Sequence, residues 1–161
     1  MMGSPHRQPR LAAVRSVPAP DDTRETAVAA QSSAVAVRVP AEATHLTLLR
    51  AVAEAVSHIA DFGVDAVTDI RLALDEVAMA FVLSAVPGTE VVCEFSYDEQ
   101  AMTVRVHAVC DTAQALDVHR FGWHVLNTLA DSVAVSSHPY SRALAGFPIE
   151  VTFTRARLPD L

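Results

Sequence analysis

With 161 residues, 51% of them hydrophobic, the chain has room for one domain, or one domain and a tail, and enough apolar surface for a real core. Nineteen acids stand against 12 basic residues, a net charge of −7, which argues against a nucleic-acid surface built on clustered positive charge. Every basic residue is an arginine, so a Walker P-loop, a Schiff base and any other chemistry of an ε-amine are excluded.

In chain order, residues 1–33 hold four prolines and no apolar periodicity, and they read as a disordered leader. The opening MMGSPHRQPR leads into no apolar stretch of a secretory signal, and no apolar run reaches the roughly 18 residues of a membrane span. The expectation is a cytoplasmic protein that meets no membrane. Four Arg against three acids leave the leader at +1, while eight Arg against 16 acids put −8 on residues 34–161. Val35, Val37 and Val39 point one way with Arg38 opposite, a short strand stopped by Pro40. From about 42 to 61, Leu46, Leu49, Val52/Ala53, Val56 and Ile59/Ala60 recur at helical spacing, and Asp61-Phe62-Gly63 ends the helix with a C-terminal glycine. A second helix starts near Asp65, a candidate N-cap, and runs to about 85 with Val67, Ile70, Leu74, Val77 and Phe81 on its apolar face. Val91, Cys93, Phe95 and Tyr97, then Met102, Val104, Val106 and Ala108, alternate on either side of a turn at 98–100 and predict a hairpin. Residues 111–120 read as a loop, 121–130 as a short helix, 132–137 as a strand, 139–148 as a loop, and Ile149, Val151 and Phe153 as a last strand. A folded body over 34–156 with a short tail at 157–161 follows, and the order β-α-α-β-β-α-β-β predicts an α+β two-layer sandwich. Cys93 and Cys110 lack a CxxC spacing and read as buried free thiols, and the seven His show no metal-ligand spacing.

Several segments carry a resemblance. Arg71-Leu-Ala-Leu-Asp-Glu76-Val-Ala-Met-Ala80 on the second helix, the hairpin after it, Asp111 at the hairpin's end and Phe121-Gly122-Trp123 opening the next helix resemble the GHKL (Bergerat) ATPase fold. Within that superfamily the chain is most similar to the small anti-sigma-factor serine kinases of the RsbW type, over roughly residues 34–156. Leu48-Leu49-Arg50 and Gly122-Trp-His-Val-Leu126 fit as well. The resemblance implies a mixed, mostly antiparallel sheet with helices on one face. It also implies ATP and Mg²⁺ as cofactors, a sigma factor as partner, an anti-anti-sigma factor with a STAS domain as antagonist, and a homodimer.

The family's ATP site can be followed box by box. Its N box is Glu-x-x-x-Asn on one helical face, with Glu as base and Asn on Mg²⁺; here Glu76 is present and Ala80 replaces the Asn. Its G1 box, Asp-x-Gly-x-Gly, reads Asp111-Thr-Ala113-Gln-Ala115, and wherever those glycines need φ > 0 each Ala is strained by ~1 kcal/mol or more. Its G2 box reads Arg120-Phe-Gly122, and the Gly-Thr of the last strand reads Pro148-Ile149, with Gly146 displaced by two. The anchoring acids remain while most of the phosphate-binding apparatus is gone.

Each candidate has a plainer alternative. Glu76 is a catalytic base or a solvated helix acid; Asp111 holds adenine or caps its own loop; Arg120 meets a phosphate or pairs with a surface acid. Trp123 is core packing or a ring against a nucleotide. Arg50, matching the partner-contacting arginine of the family, is free for a sigma factor or pairs with Glu54 one turn on. The reading is an anti-sigma factor with weakened ATP binding; the alternatives are an active serine protein kinase and a non-catalytic scaffold module.

Overall fold

A computed structural model describes residues 32–117, 119 and 121–158. The expected leader therefore lies, up to residue 31, outside the described residues, and Ser33 already belongs to the first strand, opposite Tyr97. The elements follow as β1 (Ser33–Pro40), a 3-10 turn (Ala43–His45), α1 (Leu46–Ile59), α2 (Val64–Ser84), β2 (Glu90–Tyr97), β3 (Ala101–Cys110), α3 (Phe121–Leu129), β4 (Ser132–Ser137) and β5 (Phe147–Ala156). The strands form one five-stranded sheet in the order β1-β2-β3-β5-β4.

All four ladders are antiparallel, so the expected mixed sheet is corrected to an antiparallel one. The reason is topological. β3 and β4 run in the same direction across the α3 connection, but β5 inserts between them and no parallel ladder forms. The strand period of two sorts the faces. Val35, Phe95, Val104, Phe153 and Val133 make one row across all five strands on the helix side, with Phe95, Val104 and Phe153 fully buried. The adjacent row turns the other way, and there Arg105 pairs with Glu94 at 3.3 Å and Glu150 at 3.5 Å. The result is a GHKL-type α+β sandwich: a sheet with one face under the helices and one face polar and open.

The helices use the predicted faces with two changes. Leu46, Leu49, Ala53, Val56 and Ala60 of α1 and its C-cap are buried, but Ile59 turns outward and is 73% exposed. α1 does not end on Gly63. Asp61 takes the left-handed conformation (φ 59°), donating its N–H to His58, while the Phe62 N–H reaches back to Ser57, and buried Phe62 closes this Schellman-type end. Gly63 instead precedes α2 as its N-cap with extended backbone, and Asp65 stands in the first turn, where its carboxylate faces the positive helix end. α2 buries Val67, Ile70, Leu74, Val77 and Phe81 as expected. The segment after β5 is no loose tail at its start. Arg157 lies over the Phe62 ring at 5.1 Å, donates to the Ala60 carbonyl, and gives its N–H to Gln100, tying the end of α1 to the sheet.

Candidate functional site

Glu76 and Ala80 lie one turn apart on α2 and so share a face, the one against which α3 packs. There α2, the 111–117 loop and α3 enclose a cavity of about 200 Å³. Glu76, Met79, Ala80 and Leu83 form one wall, Ala115 and Leu116 the second, and Gly122, Trp123 and Leu126 the third. Gly122 lies in the first turn of α3 directly against the Glu76 carboxylate. A Cβ there would overlap Oε2 and come within 3.6 Å of Cδ, so the close approach depends on the missing side chain. Glu76 is half-buried and has no hydrogen-bond or ion-pair partner among the described residues.

The other expected site residues are distributed differently. Asp111 is exposed at the end of β3; its N–H donates to the Ser84 carbonyl at 2.8 Å on the cavity rim, but its side chain does not line the cavity and caps no backbone N–H of its loop among the described residues. Ala113 is exposed, whereas Ala115 builds the wall. Neither has positive φ: among the described residues only Asp61 and Ala145 do so without being glycine. The anticipated backbone strain at Ala113 and Ala115 is therefore absent, and what Ala115 contributes is a methyl in the wall. Arg120 lies outside the described residues. Trp123 packs against the core, as in the plainer reading, and also lines the cavity.

Arg50 stands apart from the cavity, on the α1–α2 face. Its Nε donates to Asp75 Oδ1 at 2.6 Å, and this hydrogen bond, with the charge of Asp75, raises the guanidinium pKa above its ordinary value. The expected local pair with Glu54 does not form, because the helices pack side by side and both residues find partners across the interface: Arg50 with Asp75, and Glu54 with Arg71 at 4.0 Å. The terminal nitrogens of Arg50 keep no partner among the described residues.

Sequence reasoning missed the apolar walls. Met79 and Leu83 could have been found by stepping one and two turns from Glu76; Leu116 and Leu126 could not, since their convergence depends on how the loop and α3 fold over α2. It also passed over Gly146, noted only as displaced. A Cβ there would meet the Cys110 carbonyl oxygen at 2.7 Å, Val86 Cγ2 at 2.7 Å and Val109 Cγ1 at 2.8 Å, so this glycine lets the β4–β5 hairpin loop close on the end of β3. A larger, open concavity of about 680 Å³ lies over the polar face of the sheet beside that hairpin, and it holds none of the expected site residues.

No family model matches the chain. Two relatives, the anti-sigma-F factors RsbW of two Mycobacterium tuberculosis strains, are each 34% identical to it over 124 residues, 77% of this chain and 74% of theirs. The chain belongs to the RsbW-type anti-sigma factor family. As in the sequence-based expectation, this family placement comes with a sheet-and-helix sandwich. No group of three or more His, Cys, Asp or Glu among the described residues could hold a metal ion, and no helix is long and apolar enough to cross a membrane.

Proposed function

We propose that the protein is an anti-sigma factor that sequesters an alternative sigma factor of the stress or sporulation type in the cytoplasm. The observation that carries this is the 34% identity to the anti-sigma-F factors over 77% of the chain. The partner surface is the outer side of α1, centred on Arg50. Its guanidinium is oriented by Asp75 and retains terminal donors for a carboxylate or carbonyl of the partner. The −8 carried by residues 34–161 suits a basic target, since opposite potentials speed encounter and suppress wrong partners. Release follows when an anti-anti-sigma factor with a STAS domain competes for the same face, and the family habit of dimerising is retained in this reading.

ATP and Mg²⁺ do not fit the residues present. Ala80 offers a methyl where Mg²⁺, which demands near-octahedral oxygen coordination, would need a ligand. The cavity of about 200 Å³ is smaller than the ~300–1,000 Å³ of ordinary small-molecule sites, and Ala115 and Leu116 occupy part of the space beside α2. Sequestration in this reading proceeds without nucleotide. Titration calorimetry with Mg-ATP is expected to show no Mg-dependent binding at low-micromolar concentration; such binding would overturn the weakened site. Capture of the tagged protein from its native cell is expected to bring down a sigma factor, and its repeated absence would sink the anti-sigma reading.

A second reading, an active serine protein kinase, is favoured by the close approach of Glu76 and Gly122 at the cavity. It requires transfer of labelled γ-phosphate to a STAS-domain partner, abolished by Glu76→Ala.

A further inference from the structure

Glu76 is half-buried in the cavity, and no donor among the described residues reaches its carboxylate. An unpaired carboxylate set among apolar walls attracts a cationic or donor group, which a charge-assisted hydrogen bond would hold there. Most of the walls around it, among them Met79, Ala80, Trp123 and Leu126, are apolar, with Ser84 and Asp117 the other polar residues of the lining. A ligand matching both features has a methylene stem and a cationic tip, the character of an arginine or lysine side chain. The space of about 200 Å³ suits one long side chain, and a cation passing the Trp123 ring gains further attraction.

The surface outside the cavity continues the pattern. Leu72, Met79 and Leu83 stand four residues before Glu76 and three and seven after it, hence on the same face of α2, and they are 42%, 37% and 75% exposed. The face is an apolar stripe with a carboxylate at its middle.

We propose that this face of α2 docks a segment of a protein partner that inserts one arginine or lysine into the cavity. The alkyl stem lies between Ala80 and Trp123, the charged head meets Glu76, and flanking apolar side chains of the segment rest on Leu72 and Leu83. The inference rests on the reading that nucleotide no longer occupies this cavity, because a triphosphate and a basic side chain compete for the same space and prefer opposite charge.

Trp123 is the sole tryptophan of the chain, so its fluorescence reports on the cavity directly. The full chain is titrated with a short acetylated peptide carrying one arginine between two leucines at helical spacing. The same peptide with citrulline for arginine, and Mg-ATP, are titrated in parallel. The expected result is a saturable change with the arginine peptide, weakened about tenfold or more by citrulline and by Glu76→Gln, as for loss of a charge-assisted hydrogen bond. Equal binding of the two peptides, or arginine-peptide binding unaffected by Glu76→Gln, overturns the inference. Should that variant fail to fold, the two peptides compared on the native chain decide alone. Silence towards all three ligands overturns the inference but leaves the loss of nucleotide standing. Saturation by Mg-ATP at micromolar concentration overturns both.

Discussion

Cys93 and Cys110 show how burial alone sets the chemistry of a side chain. Burial pushes the Cys93 thiol up to about 12 and the Cys110 thiol to about 11, the latter helped by the charge of Asp111. The thiolate, which is the nucleophile, is therefore scarce at neutral pH. Native protein should leave both thiols unmodified by a disulfide reagent at about pH 8, and unfolding in urea should release both. Fast modification of either in the native state would contradict the burial. Gly146 supplies the opposite case, a position where absence of a side chain matters. Gly146→Ala forces a methyl onto the Cys110 carbonyl and two valine side chains, and urea unfolding should show a loss of about 1–3 kcal/mol. Residue identities at the candidate site were readable in advance: Glu76, Ala80 and Gly122 occupy motif positions along the chain. The contact between Glu76 and Gly122 was not, because it arises only when α3 settles on α2.

Elements were legible where the apolar period was regular, and less so at their ends. The faces of α2, β2, β3 and β5 follow directly from spacing, since helical and strand periods sort side chains before any tertiary contact exists. The end of α1 was misread because either Asp61 or Gly63 could stop it, and the chosen stop is the one that brings Phe62 into the core. The tight turn between β2 and β3 carries a pH signature. Asp98 accepts the Gln100 N–H at 2.7 Å and the Ala101 N–H at 3.0 Å, and these bonds, then the charge of Arg157, hold its carboxyl below the ordinary 3.8. A depressed folded pKa means the stabilisation is full above the unfolded value and fades as pH falls through the folded one. Asp98→Asn keeps an acceptor for the turn, so thermal unfolding followed downward from about pH 4 should fall less steeply than in the native chain. Between the helices, Arg50 and Asp75 are both partly exposed, and water screens the pair. A double-mutant cycle should give a coupling below about 1 kcal/mol for stability. Arg50→Ala should weaken capture of the sigma factor far more than it weakens the fold; equal small effects on both would remove Arg50 from the partner surface.

At the scale of the whole molecule, acidity is the property most open to test. Association with a basic sigma factor should slow markedly as salt rises from about 0.05 to 0.5 M, as expected for steering by opposite potentials, and stopped-flow binding rates would show it. A salt-independent rate would mean that the −8 of residues 34–161 plays no part in encounter. The charge, the lack of lysine, the order of elements and the residues that stand at Glu76, Ala80, Asp111 and Gly122 can all be read along the chain, because each depends on residue identity and local spacing. The antiparallel sheet with β5 between β3 and β4, the exchange of partners by Arg50 and Glu54, and the small cavity around Glu76 depend instead on which faces meet. Periodicity tells a side chain which way to point, but only packing decides what it will point at.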